Sequence, residues 1–362
     1  MKKKLIALLL TGVLAIAGLT GCGKTDEGNR SVTVAGEENT PNAVEPAGAE
    51  ETESAEPVKL TVGFTAGGMT SIVDRYALDK GLYEAEGLDL TVVDWSSIQE
   101  VLALISRGEL DIADGDPSSY IPAISGGIPA KLVGNMWRYK GCYWLIGNKD
   151  INGLEDLKGK TIGTAGASGG MRLSVLKMLE SAGISQDEVE LVANGVGQSA
   201  YATLTVGEVD ATIIHNPFAA LAEANGDGKI LGRAWDYIPD YYTGALIAAN
   251  DSIENKPEAL QKFITAYYKV HEDVKNNRFD DFIAWGAQYM NTDPEIFRTA
   301  VLAEIDVWSD YPVIPEVTVN NTIEYLKQYG WLEGDINTAE TYTNEFALKA
   351  AEELGLKDPD KK

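Results

Sequence analysis

One short motif occurs twice, and it constrains the fold more than any other feature of the chain. Gly108-Glu109-Leu110-Asp111-Ile112-Ala113, with Pro117 after it, is echoed by Gly207-Glu208-Val209-Asp210-Ala211-Thr212, with Pro217 after it. In each copy a helix runs into a Gly-Glu turn, a short strand, a polar loop and a Pro-started helix. A repeated unit of this kind predicts two similar α/β lobes in one chain.

The flanking segments extend that rhythm. Val58 to Phe64, Leu88 to Val93, Leu110 to Ala113 and Lys131 to Gly134 read as strands, separated by helices over Ser71–Leu82, Ile98–Ile105 and from Pro117. The pattern restarts with strands at Lys160–Gly163, Val189–Val192 and Val209–Ile214. Cys142–Gly147 and Thr243–Ala249 also read as strands, and they flank the second lobe as crossovers that form a hinge. After Pro257 the chain reads as helices, over Glu258–Asn276, Phe279–Met290, Pro294–Glu304, Val317–Tyr329 and Ala339–Leu354. Each lobe is expected to be a mainly parallel sheet flanked by helices.

The first residues point to a compartment. Met1-Lys2-Lys3-Lys4 is basic, Leu5 to Leu19 is apolar and short, and Leu19-Thr20-Gly21-Cys22 follows. That order resembles the lipobox of bacterial lipoproteins, which implies cleavage before Cys22 and lipidation of its thiol. Residues 23–57 hold nine acidic residues against Lys24 and Arg30, with no aromatic residue. Such a stretch cannot bury enough apolar surface to order itself, so an extended flexible tether is expected. The expected organisation is a signal peptide at 1–21, the lipidated Cys and acidic tether at 22–57, and the first part of lobe 1 at 58–143. Lobe 2 with its crossover strands takes 144–248, and the helical completion of lobe 1 takes 249–362. The molecule would sit on the outer face of the cell membrane.

Charge excludes one class of partner. Thirty Lys and Arg face 55 Asp and Glu, a net charge of -25, which opposes binding to nucleic acid or anionic lipid. Two Cys are too few for a disulfide framework, and two His argue against a His-rich metal site. Asn148 to Gly159 begins like a calcium loop but has Gly159 where the last carboxylate belongs, so it reads as a polar turn.

In an open α/β sheet, ligands gather outside the carboxyl ends of the strands, where helix N-termini present free N–H groups. Four loops occupy such places: Thr65–Thr70, Asp114–Ser119, Gly166–Met171 and His215–Phe218. Candidate contacts are Thr65, Gly67, Gly68, Met69, Ser96, Asp116 and Ser118 from the first lobe, with Trp137 beside them. Ser168, Gly169, Met171, Asn216, Trp235 and Tyr241 complete the set. Asp116, just before a Pro, serves equally well as a helix N-cap or as a partner for an amine. Gly- and Ser-rich loops at helix starts suit an oxyanion, and aromatic walls suit an organic body.

Several of these blocks resemble a known family. Val62-Gly63-Phe64, Lys80-Gly81-Leu82-Tyr83-Glu84-Ala85-Glu86-Gly87-Leu88, Leu154-Glu155-Asp156-Leu157-Lys158-Gly159-Lys160, the two Gly-Glu motifs and Asn216-Pro217-Phe218 look like the nitrate/sulfonate/taurine and thiamine-precursor solute-binding proteins. The resemblance implies a two-lobed periplasmic-binding clamshell of type II. It also implies a role as the monomeric binding component of an ABC importer, handing a small solute to a permease and its ATPase. No cofactor, metal or catalytic residue is implied. The family often has Glu-Pro-Phe where this chain has Asn216-Pro217-Phe218, which removes one carboxylate. A sulfonate-type anion is the solute expected first, and a pyrimidine-type vitamin precursor second. A rival of another class is an anchored serine hydrolase, because Gly166-Ala167-Ser168-Gly169-Gly170 matches G-x-S-x-G with His215 and His271 downstream.

Overall fold

The computed structural model describes residues 56–361. The signal segment, Cys22 and nearly all of the acidic tether lie outside those residues. No helix among the described residues is long and apolar enough to cross a membrane.

Among the described residues, ten strands form two sheets of five. The first holds β1 (Val58–Thr65), β2 (Leu88–Trp95), β3 (Ile112–Gly115), β4 (Ala130–Asn135) and β10 (Ala245–Ala249). The second holds β5 (Trp144–Asn148), β6 (Thr161–Gly163), β7 (Glu190–Val192), β8 (Ala211–Ile214) and β9 (Gly228–Arg233). Their orders are β2-β1-β3-β10-β4 and β7-β6-β8-β5-β9, the same pattern twice. In each sheet four strands share one direction, and the reversed strand (β10 or β5) is the one the chain makes on arriving from the other sheet. The result is a two-lobed α/β clamshell joined by two crossings, residues 136–143 and 234–244.

The repeated motif is the same structure in both lobes. Asp111 donates its N–H to the Thr61 carbonyl at 2.9 Å and accepts the Thr61 N–H on Oδ2 at 2.8 Å. Asp210 does the same with Thr161, at 2.8 and 3.1 Å. Gly108 and Gly207 end the preceding helices with φ of 68° and 76°, a left-handed conformation that a side chain would strain. Each Gly turns the chain, and each Asp then locks the new strand beside the first strand of its lobe.

The strand Ala245–Ala249 is buried along its whole length because it lies inside the first sheet. Leu246 and Ala248 pack into one core with Leu260, Phe263 and Ile264, while Ala245, Ile247 and Ala249 pack into the other with Val319 and Ile323. That alternation puts helices on both faces. It also places Ala245–Ala249 in the first lobe rather than with residues 144–248. Several elements depart from the sequence expectations, among them an added helix over Asn250–Asn255 and a break at Gly81 in the helix expected over Ser71–Leu82. Strand β9 was not anticipated. The helix expected over Ala339–Leu354 divides into Thr338–Thr341 and Glu345–Glu353, because Tyr342 leaves helical geometry to bridge Leu132 on the open edge of β4.

Candidate functional site

The carboxyl ends of β1, β3, β6 and β8 face one another across a cleft of about 420 Å³. The first lobe contributes Thr65, Gly68, Ser71, Trp95, Ser96, Asp114, Asp116 and Ser118. The second contributes residues 165–171, with Gly195, Val196 and His215. Trp137, Tyr143 and Thr243 come from the crossings, and Leu326 and Trp331 from the C-terminal region.

Two carboxylates dominate the polar wall. Asp114 is 1% exposed and accepts from the Thr65 N–H at 2.7 Å, Thr65 Oγ1 at 2.9 Å, Ser71 Oγ at 2.9 Å and Trp95 Nε1 at 3.0 Å. Burial pushes its carboxyl up to about 7 despite those donors. Asp116 caps the helix Pro117–Ser125 through the Ser118 N–H at 3.0 Å. It also accepts from Ser118 Oγ at 2.6 Å and, across the cleft, from the Gly170 N–H at 2.7 Å. The sequence left capping and ligand contact as alternatives for Asp116; the structure has it capping its own helix while also reaching the other lobe.

The remaining walls are aromatic and uncharged. His215 sits between Trp137, 6.4 Å away and nearly parallel, and Tyr143, 4.9 Å away and edge-on. Burial pushes the imidazole down to about 4, so it is neutral at physiological pH. Trp137 is 4% exposed and its Nε1 has no hydrogen-bond partner among the described residues. Among the described residues that line the cleft there is no lysine or arginine.

Of the residues singled out from the sequence, Thr65, Gly68, Ser96, Asp116, Ser118, Trp137, Ser168, Gly169 and Met171 line this cleft. Five others stand elsewhere. Met69 begins its helix and turns into the first-lobe core with Ile72 and Val73. Gly67 packs against Phe218 and Gly197 of the second lobe. Asn216 is 1% exposed; its Nδ2 donates to the Ala300 carbonyl at 3.1 Å, tying the lobe to the helix Pro294–Leu302. Trp235 packs edge-on against Trp144 at 5.1 Å. Tyr241 is fully buried behind the wall, beside Gly170 and Tyr325. Asp114, Trp95, Tyr143 and His215 were visible as loop or neighbouring residues, but Trp331 carried no signal that could place it here.

Another buried carboxyl lies behind the first crossing. Glu304 is 2% exposed and accepts from Trp308 Nε1 at 2.8 Å. Burial pushes it up to about 8 from the usual 4.5, against hydrogen bonds from Trp308, Cys142 and Asn216. A carboxyl raised in the folded state binds its proton more tightly there than in the unfolded chain. Its contribution to stability therefore falls as pH rises between the two values. The unfolding free energy of the natural protein, minus that of Glu304→Gln, is expected to drop by on the order of 3 kcal/mol from pH 5 to pH 8. Urea melts of both proteins at the two pH values check this; parallel pH curves would show that Glu304 is ionised in the fold.

The family model described as NMT1/THI5 like matches residues 71–278. A binding protein of Brucella abortus (strain 2308) is 26% identical, covering 77% of this chain and 84% of the relative. Riboflavin-binding protein RibY of Chloroflexus aurantiacus is 22% identical over 75% of this chain and 80% of its own. The 4-amino-5-hydroxymethyl-2-methylpyrimidine phosphate synthase of Candida albicans (strain WO-1) is 23% identical over 78% and 85%. Among solved structures, the alkanesulfonate-binding protein SsuA from Xanthomonas axonopodis pv. citri, bound to MOPS, superposes with a TM-score of 0.69 at 18% identity. That match covers 80% of this chain and 100% of that one. At such identity the likeness speaks to the fold.

Proposed function

The chain belongs to the NMT1/THI5-like family, and from that premise we propose that it is the extracytoplasmic solute-binding component of an ABC importer, with a flat nitrogen heterocycle as its solute. One observation carries the choice of solute: among the described residues the cleft holds a buried carboxylate, Asp114, a half-buried one, Asp116, aromatic walls and no cationic side chain. Such a lining suits a ring that brings N–H donors or positive charge, stacked on Trp95, Trp137 or Tyr143. The names of two relatives, one binding riboflavin and one making a pyrimidine phosphate, point to the same chemistry in those proteins.

A sulfonate is the second reading, supported by the helix start at Gly170 and by the MOPS bound to SsuA. An added negative charge beside Asp114 and Asp116, with no cation to receive it, weighs against it. A hydrolase reading is weaker still. Ser168 is exposed, makes no side-chain hydrogen bond among the described residues, and His215 is held between two aromatic rings. The proposal includes lobes that close over the solute, a monomer delivering it to a permease and its ATPase, and a lipid tether at Cys22.

Titration of tryptophan fluorescence with 4-amino-2-methylpyrimidine, riboflavin, taurine and MOPS tests the solute. A saturable change with a heterocycle, and contraction of the radius of gyration by small-angle scattering, is the expected result. Tight binding of the sulfonates with none of the heterocycles would replace the first reading by the second.

A further inference from the structure

A helix start is where an anionic ligand oxygen is ordinarily received, through free N–H groups and the positive dipole end. At the start of the helix Gly170–Ser181 that place is taken by a side chain of the opposite lobe. Asp116 Oδ2 accepts the Gly170 N–H at 2.7 Å, and the same oxygen accepts Ser118 Oγ at 2.6 Å and Ser119 Oγ at 3.2 Å. The fit leaves no gap. A Cβ added at Gly169 would lie 2.8 Å from Ser119 Oγ and 3.3 Å from Asp116 Oδ2, and one at Gly170 would lie 3.0 Å from Asp116 Oδ2. Asp116 Oδ1 accepts only the Ser118 N–H at 3.0 Å among the described residues, which leaves it capacity for one more donor.

We infer that Asp116 is the residue that sets the charge class of the cleft: its carboxylate stands in for an oxyanion at the Gly170 helix start. It thereby excludes solutes that bring their own oxyanion and presents Oδ1 to solutes that bring an N–H. This rests on the reading of the cleft as a solute site and names the device that gives it selectivity. Rejection by a fixed like charge is a standard route to specificity, because the wrong ligand must leave one anion desolvated and unpaired.

The test uses Asp116→Asn, which keeps an oxygen for capping, and Asp116→Ser, a second uncharged cap. Both are titrated with MOPS and ethanesulfonate at pH 7 and low salt, alongside the natural protein. Thermal melts verify that each variant is folded. The expected result is a rise in sulfonate affinity of about tenfold or more in both variants. Sulfonate affinity within about twofold of the natural protein in both variants would overturn the role of Asp116. A parallel titration with 4-amino-2-methylpyrimidine separates the two claims. Heterocycle binding without a sulfonate gain removes Asp116 and keeps the proposed solute. A sulfonate gain without heterocycle binding keeps Asp116 and removes that solute.

Discussion

Gly170→Val is expected to abolish solute binding, with affinity falling about a hundredfold or more, while both lobes remain folded. Gly170 is the first residue of its helix and lies where the two lobes touch. A Cβ there would come within 2.8 Å of Tyr241 Oη and 3.0 Å of Asp116 Oδ2. Neither neighbour has room to give. Tyr241 is fully buried against Tyr325, and Asp116 is held by its own helix start. The least costly relief is rotation of the lobes about the two crossings, which opens the cleft. Isothermal calorimetry would read the lost affinity, and scattering would show an expanded molecule with or without solute. A variant that binds like the natural protein would mean that the Gly170–Asp116 contact is absent from the bound state.

The second large effect is on stability, at the repeated Asp. Asp111 is 6% exposed and accepts from Thr61 N–H at 2.8 Å, Ser252 Oγ at 2.6 Å and Lys256 Nζ at 2.7 Å. Its counterpart Asp210 is half-buried and has Thr161 N–H at 3.1 Å and Asn148 Nδ2 at 3.4 Å. Asp111→Ala is expected to cost about 2–4 kcal/mol, allowing for the half-exposed Lys256, against about 1 kcal/mol for Asp210→Ala. Burial pushes the Asp111 carboxyl up, but Lys256, Ser252 and the Thr61 N–H outweigh it and leave it below the usual range. Its contribution is therefore in place above the unfolded carboxylate range and is lost as pH falls through the folded value. Urea denaturation of both variants near neutral pH checks the ranking, and equal losses would contradict it.

Much of this architecture was legible because it rests on local chemistry. The Gly-Glu-x-Asp motif carries its own turn and its own strand lock, so two copies announced two lobes. Asp116 before Pro117 marked a helix start by ordinary capping. The expected helix over Ala339–Leu354 failed for a non-local reason: the free edge of β4 draws Tyr342 and Thr343 into pairing with Leu132. Local propensity cannot register a partner roughly two hundred residues away.

The cleft was legible to the same degree. The four loops at strand ends identified seven of the residues that line it, with Ser96 and Trp137 added from beside them, since strand direction fixes where those loops emerge. Asn216 and Trp235 misled for one shared cause. Both sit in or near second-lobe loops, but their side chains turn away from the cleft, toward Ala300 and Trp144. Side-chain direction at a loop depends on what packs behind it: the helix Pro294–Leu302 for Asn216 and Trp144 of β5 for Trp235. The charge of the wall was written in Asp114-Gly115-Asp116, but its weight appears only once burial and the absence of a lining cation are seen together.

The reversed strand of the first sheet has a consequence for the order in which the molecule is made. Strand β10 lies between β3 and β4, yet it is the last strand synthesised. Until it arrives, β3 and β4 each present an open, apolar edge, and the first lobe cannot close. Every strand of the second sheet lies between β4 and β10 in the chain, so that lobe has all its strands before the first has its centre. The earlier-begun lobe is thus the later to mature. A nascent chain stalled before Ala245 would carry a second lobe with all its strands in place on a first lobe that still lacks its central one.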